Sequence, residues 1–418
     1  HWRTAALSDP SCWTYLVLPP IPRMTAGKTA ALIAHVERVI SRSRSRLLDV
    51  AVSVNWDLTQ KTRDVYAEDG LYSRLFASLM EQLRRIRTLD IHTASCSDNF
   101  LKFSYSDMSD PILKHIADLL CCPTPQLVHL SLSCAHTHYM TGQQFWLGYE
   151  EGDYPFFLPN APKLATLSLT NTPMLCKRPH PVGLPLLRTL LIDCSKWVYS
   201  ALIWDTVSMA PQLDKLRLCC NPQGIAGHPE QRPTSLPITE LVVGMDSYLP
   251  LPETQLPNLR SLVVESWKLD ASDSGPPGNL GLTLTTLVVE SISSFSADMI
   301  QTLRHFEVLE HATLYGDEVD DDRQLFAALC DTADPMWPRL RHLVLSWGMD
   351  IKSSERDGLL RLVRARNLSK EQSGLTRPLE KVEFDLTSVP GWVATQVKEV
   401  MGDGACVVEM PKMYFTRD

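Results

Sequence analysis

The chain has 418 residues, 44% of them hydrophobic, with 40 basic side chains against 48 acidic ones and a formal net charge of −8. That balance argues against a nucleic-acid or membrane-surface polyelectrolyte, and no apolar run is long enough to cross a bilayer, so protein partners are the default. Eleven scattered cysteines, whose pairs Cys121-Cys122 and Cys219-Cys220 have neither disulfide-framework nor zinc spacing, indicate a reducing, cytoplasmic or nuclear compartment. The chain begins at His1 without an initiating methionine and reads as truncated, so the lack of a leader carries no weight.

In chain order, Trp2 and Ala6 fall on one helical face, Asp9-Pro10 ends that helix, and Trp13 and Leu16 return an apolar surface. By composition, residues 1–18 are a terminal cap. Leu32, Ile33, Val36, Val39 and Ile40 predict a helix over 29–40, and the serine-arginine alternation of 41–46 reads as its solvated end rather than a phosphate site. Leu47-x-x-Val50-x-Val52 predicts a first strand. A helix over 71–83 leads to Ile86-x-x-Leu89-x-Ile91, and another, capped at Asp110-Pro111, leads to Leu127-x-x-Leu130-x-Leu132. An aromatic insertion, with Tyr139, Trp146 and Tyr154 among its residues, follows and reads as a flap on the rim.

From Leu164 onward one phrase recurs: Leu164-x-x-Leu167-x-Leu169, Leu187-x-x-Leu190-x-Ile192, Leu213-x-x-Leu216-x-Leu218, Ile238-x-x-Leu241-x-Val243, Leu259-x-x-Leu262-x-Val264, Leu284-x-x-Leu287-x-Val289, Leu309-x-x-Ala312-x-Leu314 and Leu340-x-x-Leu343-x-Leu345. The triplets alone decide little in so apolar a chain. The spacing decides, because the middle position from Leu167 to Ala312 returns after 23, 26, 25, 21, 25 and 25 residues. Proline stands two residues before the first leucine at Pro125, Pro162, Pro185, Pro211, Pro257 and Pro338, where it ends one element and admits a strand at its first residues. Helices return late: one capped by Ser296, one through Leu325 and Leu329, one opened by Ser354, and one through Val393 and Val397, before a closing strand at 406–410. The acidic tract 317–322 reads as a solvated loop and helix start.

This pattern is that of a leucine-rich repeat, and it predicts an α/β solenoid: a curved parallel sheet on the concave side, helices and loops on the convex side. About 12 irregular repeats span 19–410, as one elongated domain, with a tail over 411–418. The second and third leucine positions point inward, so alternation sends their neighbours to the open face. There Lys215 and Arg217 make a basic step, and Val242, Val263 and Val288 make an apolar strip beside Glu240, Glu265 and Glu290. His311, His342 and Val344 lie further along, and Trp267 and Trp347 sit just past their strands, where rim anchors belong. An apolar strip bordered by charge suits a protein or peptide partner, with the expectation that aspartate at Val263 and Val288 abolishes capture without unfolding. The bland alternative is that valines merely suit strands and tryptophans fill loops.

The opening residues carry a second resemblance. Trp2-Arg3-x-x-Ala6-Leu7-Ser8-x-Pro10-x-x-Trp13 resembles the closing part of a divergent, fungal-type F-box of the kind joined to leucine-rich repeats. The resemblance implies that Trp2, Arg3, Leu7, Pro10 and Trp13 are the remnant of a surface for the adaptor subunit of an SCF-type ubiquitin ligase. The cullin would be reached through that adaptor, and a protein substrate would be held on the repeats. The earlier F-box helices are absent from this sequence.

Catalytic patterns are missing: there is no glycine-rich phosphate loop, no Gly-x-Ser-x-Gly elbow and no His-Glu-x-x-His pair. His136-x-His138 lacks a third ligand at useful spacing, and Cys134, Cys194 and Cys220 fit a buried ladder better than a reactive set. The expectation is a non-enzymatic substrate receptor with no metal and no cofactor. The alternative is a repeat scaffold or enzyme inhibitor unrelated to ubiquitin.

Overall fold

The computed structural model describes residues 4, 7–18, 26–56, 71–95, 116, 118–134, 158–170, 183–223, 234–244, 255–265, 280–292, 294–319, 322–348, 357–368, 376–385 and 389–407. They fall into two compact units, His1–Pro233 and Thr234–Asp418.

In the first unit, strands β1 (Tyr15–Leu18), β2 (Leu48–Trp56), β3 (Ile86–Ser95), β4 (His129–Cys134), β5 (Thr166–Thr170), β6 (Thr189–Tyr199) and β7 (Lys215–Gln223) pair in chain order, all parallel. Helices α1 (Ala26–Ser43), α2 (Leu71–Gln82) and α3 (Ser200–Ser208) lie between strands. Register holds phrase on phrase. Leu16, Val50, Leu89, Leu130, Leu167, Leu190 and Leu216 form one row, and all are buried with the helix-stripe residues Ile33, Val36, Leu75, Phe76 and Leu79. One repeat cannot cover its own apolar stripe, so parallel stacking follows from the sequence pattern.

The second unit repeats the plan with β8 (Glu240–Val243), β9 (Ser261–Val264), β10 (Thr286–Val289), β11 (His311–Glu318), β12 (His342–Gly348), β13 (Lys381–Phe384) and β14 (Ala405–Val407), again parallel and in chain order. Its helices are α4 (Leu280–Thr283), α5 (Ala297–Arg304), α6 (Arg323–Leu329), α7 (Gly358–Asn367) and α8 (Gly391–Met401). Ser296 caps α5 as expected, its hydroxyl accepting from the Met299 amide at 3.2 Å.

Several expectations need correction. The parallel array begins at Tyr15–Leu18, within the N-terminal segment 1–18; this strand pairs with β2 and leaves the reading of that segment as a cap untouched. The prolines are not at strand starts. In the six phrases preceded by proline, the first-leucine amide donates to the carbonyl three residues back: Leu127 to Thr124, Leu164 to Ala161, Leu187 to Leu184, Leu213 to Ala210, Leu259 to Leu256 and Leu340 to Trp337. Each proline is thus the second residue of a four-residue turn, where its fixed φ is an advantage and its missing N–H costs nothing. The residue before it is buried every time: Thr124, Ala161, Leu184, Ala210, Leu256 and Trp337. In the acidic tract, Asp317 and Glu318 continue β11 and Asp322 is buried at the start of α6. The predicted start at Asp110-Pro111, the aromatic insertion 133–163 for most of its length, Ser354 and the tail 411–418 lie outside the described residues.

Two arginines lock neighbouring repeats. Arg85, which follows α2, donates to the carbonyls of Ile40, Arg44 and Arg46 and to the Ser43 hydroxyl, satisfying the C-terminal end of α1. Arg366 of α7 is fully buried and donates to the carbonyls of Met336 at 2.9 Å and Trp337 at 3.1 Å.

Candidate functional site

The face of the sheet opposite the leucines is where the sequence placed a partner. In the second unit, strand register sorts it into rows. The first row is Glu240, Ser261, Thr286, His311, His342 and Lys381. The next outward row is Val242, Val263, Val288, Thr313, Val344 and Glu383. Continued alternation adds Glu265, Glu290, Tyr315, Ser346 and Asp385. These assignments agree with the parity read from the sequence.

Their accessibility does not agree. Val263, Val288 and Val344 are only 6%, 5% and 7% exposed, and with Tyr315 they form a packed cluster that Val242 borders. In the row beyond, Glu290, Tyr315, Ser346 and Asp385 are buried while Glu265 is half-buried, and the Ser346 hydroxyl donates to an Asp385 carboxylate oxygen at 2.6 Å. Aspartate at Val263 or Val288 would therefore enter a packed apolar site, and the expectation that it leaves the fold intact is corrected. Sequence reasoning missed the cause. Tyr315 is the residue after the third inward position of its strand, so continued period-two counting would have placed it on this face beside the valines.

The first row stays open. His311 and Lys381 are exposed, and Ser261, Thr286 and His342 are half-buried. The rings of His311 and His342 meet edge to face, 5.7 Å between centroids. His342 Nε2 lies 3.3 Å from a Glu383 carboxylate oxygen, and Glu383 also pairs with the Lys381 ammonium. Burial holds the His342 imidazole below its ordinary pKa of 6.5; Glu383 opposes that shift, while Lys381 and His311 add to it. At neutral pH His342 is therefore uncharged. Immediately before the row, Arg341 pairs with Glu380 at 2.5 Å and Arg377 with Glu310 at 3.4 Å.

The other predicted residues are scattered. Lys215 and Arg217 belong to the first unit, where Arg217 lies 3.4 Å from Asp193 and donates from Nε to the Cys219 sulfur at 3.3 Å. Burial raises the pKa of Asp193, and Arg217 opposes that. Trp267 and the side chain of Trp347 lie outside the described residues, as do Trp2 and Arg3; the Trp347 backbone continues β12 opposite Gly316. Of the remaining N-terminal set, Leu7 is exposed, Pro10 opens a 3-10 turn capped by Asp9, and Trp13 closes it. The Arg42 guanidinium stacks over the Trp13 ring at 4.5 Å, tying that turn to α1.

Among the described residues, no group of three or more His, Cys, Asp or Glu is arranged to hold a metal ion, and no helix is long and apolar enough to cross a membrane. No family model matches the chain, and no curated protein matches it.

Proposed function

We propose that this chain is a leucine-rich-repeat receptor of the F-box type, which holds a protein substrate on the outward face of its repeats for an SCF-type ubiquitin ligase. The observation that supports it best is the register of the phrases: within each unit the inward rows run from strand to strand, so the residues between them form ordered rows suited to reading a second chain. Such a receptor binds and positions; bond-making belongs to its partners. The packing of Trp13 against Arg42 supports the N-terminal segment as the joint between an adaptor-binding module and the repeats.

The test is co-purification from cells of this chain joined to an intact F-box helix segment upstream, against the chain alone. The proposal expects the ligase adaptor and cullin with the extended form. Their absence from both forms would leave only a repeat scaffold or enzyme inhibitor.

A further inference from the structure

Arginine is concentrated where β2 and β3 begin. The tract 41–46 closes α1 with Arg42, Arg44 and Arg46, and one repeat later Arg84, Arg85 and Arg87 follow α2. The fold joins the two sets across 41 residues of chain, from Arg44 to Arg85. Arg85 donates to the Ile40 carbonyl at 3.0 Å, the Arg46 carbonyl at 3.1 Å and the Ser43 hydroxyl at 2.9 Å. Two features set this place apart from a helix end that merely suits cations. Arg85 already satisfies the free carbonyls of α1, so further cations there are repelled by it more than they are drawn by the helix. Arg44 also stands at φ 51°, in the left-handed region where glycine is easiest, so a cation is kept there against the backbone preference.

Nearby acids do not cancel the patch. Arg87 pairs with Asp49. Asp9 accepts from the Ser11 amide at 2.9 Å, and Arg46 acts on it only through space, as the weakest of its influences. Glu81 is exposed one turn before Arg84, while Glu37 and Arg38 offset each other on α1. Six arginines thus stand against Asp9, Asp49 and Glu81. Arg42 lies over Trp13, and among the described residues no carboxylate forms an ion pair with Arg42, Arg44, Arg46, Arg84 or Arg85. Arg44, Arg46 and Arg84 are exposed.

We infer that this patch binds a phosphorylated segment of a protein, with Arg44, Arg46 and Arg84 taking the phosphates and Arg85 fixing their spacing. Every cation of the patch is an arginine, whose planar fork matches phosphate oxygens in pairs. A nucleic acid calls for a longer basic track than one helix end and the following turn supply, and the chain as a whole is acidic. The cations come from two separate turns rather than from one amphipathic helix face or one polybasic run, the forms that lie on membranes. The patch is at the edge where strands begin, not on the outward face, so the inference does not depend on the ligase reading.

A pH signature follows. Phosphate carries its second charge above about pH 6 and arginine does not titrate there, so if the dianion is what binds, affinity falls about fourfold between about pH 7.5 and about pH 5.5.

The experiment uses the full chain and a fluorescent decapeptide with two adjacent phosphoserines, beside its unphosphorylated and its glutamate counterparts. Wild type is expected to hold the phosphorylated form about tenfold more tightly than the unphosphorylated one, and only the phosphorylated form should show the loss at low pH. R44Q/R46Q/R84Q is expected to remove the preference with circular dichroism unchanged, and R84Q alone, which leaves the end of α1 untouched, to weaken it about threefold. R188Q/R260Q/R339Q, the same change in net charge placed elsewhere, is expected to keep it. Equal affinity for the three peptides, wild-type binding by R84Q, or an equal loss in the control triple overturns the inference. So does tighter binding of a short single-stranded RNA, or of vesicles carrying phosphatidylinositol bisphosphate, than of the phosphorylated peptide.

Discussion

Replacing Val288 with aspartate separates a covered cluster from an open docking strip. Val288 is 5% exposed, packed with Val263, Tyr315 and Val344, and followed on the same face by the buried Glu290. An ionised carboxylate there would be an uncompensated buried charge, costing about 3–5 kcal/mol. Protonation would avoid that charge, but the burial of two methyl groups, about 1.6 kcal/mol, would still be lost. Val288→Thr keeps the shape and buries one hydroxyl, at about 1–2 kcal/mol. Thr286→Asp, two residues away in the open row, should stay within about 0.5 kcal/mol of wild type. Urea unfolding followed by far-ultraviolet circular dichroism gives the order, and hydrogen exchange of the β9, β10 and β11 amides shows whether the loss is local. If Val288→Asp were as harmless as Thr286→Asp, the valines would face solvent and the cluster described above would not exist.

Other outcomes follow from single sites. Because folded His342 holds its proton less tightly than the unfolded chain, the unfolded state gains the proton first as pH falls below 6.5. Its contribution to stability is whole above that value and shrinks below it, so the urea midpoint should drop between about pH 7.5 and about pH 5.5, and less in His342→Gln. At Gly316 a Cβ would lie 2.3 Å from the Ile292 carbonyl oxygen and 2.9 Å from a Val319 methyl. Gly316→Ala should therefore destabilise by about 1–3 kcal/mol in the same urea assay. Arg366 has its pKa pulled down by burial to about 10, so it is still charged at neutral pH when it donates to the Met336 and Trp337 carbonyls. Arg366→Met should cost about 3 kcal/mol, and Arg366→Lys should recover little, because an ammonium lacks the guanidinium fork; thermal melting ranks the three.

The frame was legible because its signals are local and periodic. Leu167, Leu190 and Leu216 recur at repeat spacing, and each sits two residues from a second inward apolar position, so strand, face and stacking all follow from one phrase. Tyr15–Leu18 escaped because only Leu16 and Leu18 of the phrase are present, without the first leucine. Helix α3, Ser200–Ser208, was not foreseen, since β6 runs directly into it with no loop residue between them. The prolines were seen, but their turn and the buried residue before each were not, because that residue varies from Thr124 to Trp337 and only its burial is common. The candidate site was legible in parity and not in exposure. Whether Val263 faces solvent depends on Tyr315, a residue 52 positions away brought near by stacking; period-two counting along β11 gives the face of Tyr315 but not its packing over the valines.

The central claim is that the repeats hold a protein so that it is ubiquitinated. The measurement that addresses it most directly is site-resolved ubiquitin profiling, together with protein half-lives, in cells with and without this chain. Proteins captured on the outward face should lose ubiquitin and live longer when the chain is removed, and restoring the chain should reverse the change. If captured proteins keep the same ubiquitin and the same half-lives whether or not the chain is present, it is not a ligase receptor.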